Sequence, residues 1–285
     1  MRVAQRSRRE WSRWTVDSGY AAPLDRYYEK YGWDEELNRA GTSLAWLGTH
    51  RYFVPTRMAA SVVWYRPDIF ERYGLSLPRS WSEMLVTARQ LKSQGIIPLL
   101  LANRKRWPAQ FIWSALFVNK YGLDTYNRLI ARKIPWTDPR VVDIFALMKS
   151  LSDEGLFENG ANALDVTPAV TLFASGQAGM WYQGSFLLTR FLNDDGRPLF
   201  PFGFFNFPPV GDVPSTVSVF VEDGLMINKH SPHPDEAAAF LDWAVFPGNG
   251  YNQQSLPSAA HFGRASKRPR PLRRHLLQRA IARRG

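Results

Sequence analysis

The stretch from Asp165 to Ser185 constrains the fold most, because it predicts a helix, a stop and a buried strand in direct succession. Thr167 followed by Pro168 is typical of a helix start, with threonine as the N-cap and proline in the first turn. Gly176 stands where a helix ends on a residue of left-handed conformation. The apolar run Ala178–Tyr182 then predicts a buried strand. We therefore expect helices to pack on a sheet built around this strand.

The end of this predicted strand is a first candidate for a ligand site. Gly184 and Ser185 follow the strand and lead into the apolar segment Phe186–Leu192. Small residues between a strand and a helix leave backbone N–H groups open to a ligand. Trp181 and Tyr182 would add aromatic surface beside them, although both rings are equally typical of a core.

Composition places most of the chain among folded proteins, since 45% of its residues are hydrophobic and 21% are charged. Aromatic residues reach 14% and include 11 tryptophans, which suits either a large core or a surface that stacks flat ligands and sugar rings. The chain has no cysteine, which excludes disulfides, thiol chemistry and cysteine-based zinc sites. It also has no uninterrupted apolar run of about 18 residues, so we expect no membrane span.

The net charge of +11 comes from the two ends of the chain. Residues 14–263 carry 22 basic and 24 acidic residues, whereas 264–285 carry nine basic residues and no acid. Runs of like charge are usually solvated, so we expect a basic disordered tail at 264–285 and a basic disordered segment at 1–20. The first residues are basic but no apolar stretch follows them, so the chain as written is expected to carry no signal peptide.

Predicted helices alternate with short strands along the body of the chain, which indicates an α/β fold. The helix with the strongest sequence signal begins at the capping box of Ser80 and Glu83 and ends before Gly95. Strands are predicted over Ala59–Tyr65 and Ile96–Leu101 from their content of Val, Ile, Leu and aromatic residues.

Five segments resemble landmarks of the bacterial extracellular solute-binding proteins (family 1), the sugar-binding components of ABC transporters. Their order and spacing together carry the resemblance, which covers roughly residues 20–258. The segments are Ala22–Asp25; Tyr52–Pro55 with Trp64–Phe70; Gly74–Leu75 with Pro78–Glu83; Phe173–Met180 with Gly184 and Ser185; and Gly224–Lys229 with Pro234–Ala238.

The resemblance implies a type II periplasmic-binding-protein-like fold with two α/β lobes joined by a hinge. Residues 21–66 match a remnant of the first lobe and a hinge crossing, and 67–263 match mainly the second lobe and the hinge return. The first lobe is therefore expected to be incomplete, and the chain a fragment truncated at both ends.

The function that the resemblance implies is capture of a sugar or oligosaccharide by hinge closure, followed by delivery to the membrane permease of an ABC transporter. Such a protein works in the periplasm or at the cell surface as a monomer, with no catalytic step, no cofactor and no nucleic-acid partner. Because one lobe would be incomplete, we expect impaired sugar binding.

Candidate ligand residues are those that match cleft-facing segments of the family, where aromatic rings stack on sugars and polar groups bind hydroxyls. Trp64 and Trp107 are also compatible with packing, and Glu222-Asp223 with a solvated turn. The candidates are Arg57, Trp64, Asn103, Trp107, Trp181, Gly184, Ser185, Glu222, Asp223 and Gly224.

Two other classes of function stay open at this point. Asp165, Glu222 and Asp223 could serve a glycoside hydrolase, which needs two carboxylates, although no common catalytic motif is present. The basic tail 264–285 could bind nucleic acid in a salt-dependent way. The five histidines have no metal-ligand spacing, so no metal is expected.

Overall fold

The computed structural model describes residues 2–5, 14–37 and 45–246. The chain divides into two compact units, unit 1 with Met1–Ala4 and Ala60–Val219, and unit 2 with Gln5–Ala59 and Phe220–Gly285. The predicted basic tail at 264–285 and part of the predicted N-terminal segment lie outside the described residues. The lobe boundaries that the resemblance implied stay a prediction.

The strands and helices follow one another in a mixed order along the described chain. The strands are β1 (Arg2–Gln5), β2 (Trp46–Leu47), β3 (His50–Arg51), β4 (Val54–Tyr65), β5 (Ile97–Leu100), β6 (Ala178–Gly184), β7 (Gly203–Phe205) and β8 (Thr216–Leu225). The helices are α1 (Asp25–Tyr31), α2 (Trp33–Glu36), α3 (Pro67–Arg72), α4 (Trp81–Ser93), α5 (Trp107–Tyr121), α6 (Leu123–Ile130), α7 (Pro139–Asp153), α8 (Val166–Ala174), α9 (Leu188–Phe191) and α10 (Pro234–Val245). A 3₁₀ turn, Ser185–Leu187, joins β6 to α9.

Among the described residues, six strands form one sheet in the order β1-β8-β4-β6-β5, with β7 also paired to β4. β5 and β6 run parallel, with Leu100 opposite Trp181, whereas β4 and β6 run antiparallel, with Trp64 opposite Trp181. Parallel neighbours need a long crossover, which α5 to α8 supply here. The carboxyl ends of β5 and β6 therefore lie at the same edge of the sheet.

The stretch from Asp165 to Ser185 folds largely as its sequence predicts. α8 ends before Gly176, which adopts the left-handed conformation with φ 77°. The apolar run becomes β6, in which every residue is buried. The helix start is two residues earlier than predicted, because the carboxylate of Asp165 accepts a hydrogen bond from the Val166 N–H and acts as the N-cap in place of Thr167.

The alternation of side chains along β6 builds the core of unit 1 on both faces of the sheet. Met180 and Tyr182 belong to a cluster that packs against α4, α5 and α7. Trp181, which lies between them on the opposite face, belongs to a second cluster with α8 and α9. A strand covered on both faces is expected to be apolar throughout, and this explains the unbroken apolar run in the sequence.

Unit 2 has a core of its own, built from α1, α2 and α10. The buried Tyr28 hydroxyl donates to the Phe53 carbonyl at 2.8 Å, and the Trp33 indole N–H donates to the Asp242 carboxylate at 2.9 Å. Buried polar atoms of large aromatic residues are thereby hydrogen-bonded inside this core.

Candidate functional site

The carboxyl ends of β5 and β6 carry most of the ligand residues predicted in unit 1. Asn103 and Trp107 follow β5, and Gly184 and Ser185 end β6. In α/β sheets, ligands commonly bind outside the carboxyl ends of parallel strands, because the connecting loops there present side chains and backbone N–H groups together. This sheet edge is therefore the candidate ligand site in unit 1.

The loop after β5 is fixed by a buried carboxylate that the sequence analysis missed. Glu158 is 7% exposed and accepts hydrogen bonds from the N–H groups of Leu101 at 2.8 Å and Ala102 at 2.6 Å. Burial raises the pKa of this carboxyl above its ordinary value. The hydrogen bonds from the two N–H groups lower the pKa, but their effect is smaller than that of burial. Ala102 is held at φ 51°, a conformation that non-glycine residues seldom adopt. The backbone that leads to the predicted site is thus tightly constrained.

Asn103 makes hydrogen bonds through its backbone N–H and through both ends of its side-chain amide. Its backbone N–H donates to the Ala161 carbonyl at 2.7 Å, and its side-chain NH₂ donates to the Asn162 amide oxygen at 2.7 Å. Its own amide oxygen accepts from the Ala109 N–H at 3.0 Å and so caps the start of α5. Asn103 therefore positions Trp107, the first residue of α5, and its predicted contact with a ligand stays a prediction.

Trp107 lies at this edge as one of three half-buried aromatic rings. Its ring centroid is 5.4 Å from that of Phe111 and 6.0 Å from that of Phe186, both in edge-to-face geometry. Phe186 was not among the predicted ligand residues, although an aromatic residue directly after Gly184 and Ser185 was the signal that could have identified it. We call Asn103, Trp107, Phe111, Ser185 and Phe186 the strand-edge site.

The Gly184-Ser185 corner offers less to a ligand than the sequence suggested. The Gly184 N–H already donates to the side-chain oxygen of Gln183 at 3.0 Å, so it is not open to a ligand. Ser185 is 8% exposed, and its hydroxyl accepts from the Ala60 N–H at 3.1 Å. In this structure the corner mainly holds β6 against β4. Direct contacts of Gly184 and Ser185 with a ligand stay predictions.

Trp64 and Trp181 are both 0% exposed and lie opposite each other on β4 and β6. Trp64 packs edge-to-face on Phe191 at 5.2 Å, and Trp181 packs on Phe173 at 6.1 Å. Rings without exposed surface cannot stack on a sugar, so in this conformation both tryptophans have a packing role. Stacking by either one stays a prediction that requires the ring to become exposed.

The other predicted residues lie in unit 2. Arg57 and Asp223 form a partly exposed ion pair, with Nε 2.9 Å from the carboxylate. A Cβ added to Gly224 would lie 2.8 Å from the Phe53 ring and 3.2 Å from the Val54 carbonyl oxygen, so glycine allows a close approach of the backbone there. The side chain of Glu222 is outside what the structure describes. The ligand roles of these four residues stay predictions.

Three further observations bear on the kind of site. Within the described ranges, no group of three or more His, Asp or Glu residues could hold a metal ion. No helix in the same ranges is both long and apolar enough to cross a membrane. An open cavity of about 660 Å³ in unit 1 contains none of the predicted residues, so the strand-edge site does not depend on it. Its lining is Ser76, Leu77, Pro78, Arg79, Glu83, Phe205 and Asn206.

Residues 10–251 match the family of bacterial extracellular solute-binding proteins. The chain belongs to this family. An uncharacterised ABC-transporter extracellular-binding protein of Pyrococcus horikoshii is 25% identical over 197 residues, 68% of this chain and 43% of that protein. A mannitol-binding protein of Pseudomonas aeruginosa is 23% identical over 239 residues, 81% of this chain and 53% of that protein. This solute-binding protein thus spans about half the length of the curated relatives it matches.

Solved structures show the same fold. The bacterial solute receptor AcbH, which has an exclusive preference for β-D-galactopyranose, superposes with a TM-score of 0.70 at 28% identity, over 81% of this chain and 58% of AcbH. A chitin oligosaccharide binding protein superposes with a TM-score of 0.73 at 23% identity, over 84% of this chain and 60% of that one. The predicted family and the α/β periplasmic-binding-protein-like fold are confirmed. The predicted truncation stays a prediction.

The role of Glu158 gives a testable prediction. Replacing Glu158 by Gln leaves one acceptor oxygen for two N–H groups, and an orphaned buried N–H costs about 1–3 kcal/mol. The backbone amides of residues 101–106 should therefore exchange with deuterium about tenfold faster, while β6 stays protected. Mass-spectrometric hydrogen exchange measures this directly.

The matched control is Glu154→Gln, because Glu154 is an exposed acid whose carboxylate pairs with Arg89. It should leave exchange in 101–106 unchanged. Equal exchange in the wild type and in Glu158→Gln would show that the carboxylate does not fix this loop.

Proposed function

We propose that this solute-binding protein captures a sugar or oligosaccharide at the strand-edge site and presents it to the permease of an ABC transporter. The observation that carries the proposal is the group of three half-buried rings, Trp107, Phe111 and Phe186, at the carboxyl ends of two parallel strands. Apolar C–H faces of sugars stack on such rings, and neighbouring polar groups can bind hydroxyls.

The relatives support the same class of ligand. They include a multiple sugar-binding protein of Streptococcus mutans, a mannitol-binding protein of Pseudomonas aeruginosa and the galactopyranose receptor AcbH. Hinge closure around the ligand, a monomeric state and a location in the periplasm or at the cell surface complete the proposal by family resemblance. In this proposal the chain acts without a cofactor, without a chemical step and without nucleic acid.

No described contact favours the hydrolase alternative. The Asp165 carboxylate caps α8 and lies 3.9 Å from the Lys105 ammonium, and the Asp223 carboxylate pairs with Arg57. Both of these acids therefore have structural partners. The nucleic-acid alternative depends on 264–285, which lies outside the described residues.

Saturation-transfer NMR on the purified chain tests the proposal. The probes are D-galactose, mannitol, xylotriose, chitotriose and raffinose, with glycine betaine as a non-carbohydrate control. We expect saturable transfer to at least one carbohydrate, with an affinity weaker than micromolar because binding is predicted to be impaired. No transfer to any carbohydrate would refute the proposed function, and release of reducing ends from the oligosaccharides would favour the hydrolase.

A further inference from the structure

The loop that joins β5 to α5 carries three consecutive cations, Arg104, Lys105 and Arg106. All three side chains are exposed. They stand directly between Asn103 and Trp107, two residues of the strand-edge site. A body that is close to neutral, with 22 basic and 24 acidic residues over 14–263, therefore places a local positive charge beside its proposed ligand site.

The described acids near this loop are already engaged. Asp165 lies 3.9 Å from the Lys105 ammonium and also accepts from the Val166 N–H. The Glu158 carboxylate is buried and is held by two backbone N–H groups. Among the described residues, Arg104 and Arg106 have no ion-pair partner. A net positive charge of about two thus remains on the exposed loop at neutral pH.

The backbone that presents these charges is fixed. The Arg104 N–H donates to the Leu164 carbonyl at 3.0 Å, and the Arg106 N–H donates to the Asn103 carbonyl at 2.7 Å. Arg106 has φ 64°, so a long cationic side chain occupies a left-handed position that glycine or asparagine would adopt with less strain. Backbone hydrogen bonds therefore hold the loop that carries these cations in a defined conformation, directly before Trp107 in sequence.

A cationic loop that leads directly into Trp107 suits a ligand that has both an apolar ring face and an anionic group. Arginine binds carboxylate and phosphate oxygens in a bidentate manner, which a neutral hydroxyl cannot match. Because the arginine side chains are exposed, salt should screen this attraction and weaken it as the ionic strength is raised.

We infer that the ligand of the strand-edge site is an anionic sugar, whose carboxylate or phosphate group is bound by Arg104 and Arg106. This inference rests on the proposed function. It goes further by naming the chemical class that the site prefers over neutral sugars.

The test compares three probes that differ at one carbon: D-galactose, D-galacturonate and D-galactose 6-phosphate. Each is titrated against the whole chain by NMR at low ionic strength. Two guanidinium groups bound directly to the anion, with charges about 4 Å apart in a water-like medium, predict a preference of about thirtyfold for at least one acidic sugar over galactose. The two acidic probes distinguish a carboxylate site from a phosphate site. The preference should fall toward one as salt is raised.

The variant Arg104→Gln/Arg106→Gln should lower the ratio of acidic to neutral affinity to about one. Its matched control is Arg128→Gln/Arg132→Gln, which removes two exposed arginines outside the loop, including one at φ 58°. The control should keep the preference.

Three results contradict the inference. They are galactose binding as tightly as both acidic sugars, a preference that high salt does not reduce, and a preference that survives in Arg104→Gln/Arg106→Gln. Binding of galactose alone would overturn this inference and leave the proposed function standing. Binding of none of the three, nor of any other carbohydrate probe, would overturn both.

Discussion

Replacing Trp107 by alanine should lower the affinity for carbohydrate by between tenfold and a hundredfold. Stacking of a sugar ring covers about 100 Å² of apolar surface, which corresponds to about 2.5 kcal/mol of binding free energy. The indole is half-buried at the first residue of α5 and contacts Phe111 and Phe186, so its removal also loosens the other two rings of the site. Titration followed by NMR gives the dissociation constants of the two proteins.

Trp136→Ala is the matched control for this experiment. Trp136 is 56% exposed in the same unit, and its ring packs on Trp113, which is not a residue of the strand-edge site. Its loss should change the affinity by less than twofold. Equal effects of the two substitutions would mean that Trp107 has no special part in binding.

Replacing Trp181 by alanine should have the largest effect on stability, with a loss of about 3–5 kcal/mol in the free energy of unfolding. Trp181 is fully buried on the central strand β6 and packs on Phe173. The void that alanine leaves would be enclosed by rigid neighbours on β4 and α8. Urea titrations followed by circular dichroism, in the wild type and in the variant, measure this loss.

Trp181→Phe reduces the volume of the buried side chain without removing a hydrogen bond. The Trp181 indole N–H has no hydrogen-bond partner among the described residues, so the change to phenylalanine loses only side-chain volume. It should therefore lower the free energy of unfolding by less than the change to alanine does. A stable Trp181→Ala protein that has lost its sugar affinity would contradict the packing role and restore the role of a stacking platform.

The sequence was a good guide wherever backbone geometry alone decides the outcome. Gly176 ends a helix because the left-handed conformation costs glycine little, and the run Ala178–Tyr182 is a strand buried on both faces. The five landmark segments were sufficient to identify the family, because together they retain its order of strands and helices.

The sequence was a weaker guide to the individual site residues, because burial and hydrogen bonding depend on parts of the chain that are distant in sequence. Glu158 acts on Leu101 and Ala102 across more than fifty positions, and no local pattern indicates this. Trp181 and Phe186 are both aromatic and only five positions apart, yet the pleat of β6 buries the first and the turn at Ser185 leaves the second partly exposed. The N-cap of α8 is Asp165 and not Thr167. Both residue types can accept a hydrogen bond from an N–H of the first turn, so the sequence alone did not distinguish between them.

Chemical-shift mapping of backbone amides tests the central claim most directly. The chain is titrated with the tightest carbohydrate of the panel, and the amide shifts of unit 1 are followed. We expect the largest changes at 103–107 and at 185–186, where the strand-edge site lies. Changes confined to other parts of the chain, with these two segments unmoved, would contradict the claim that the site binds carbohydrate.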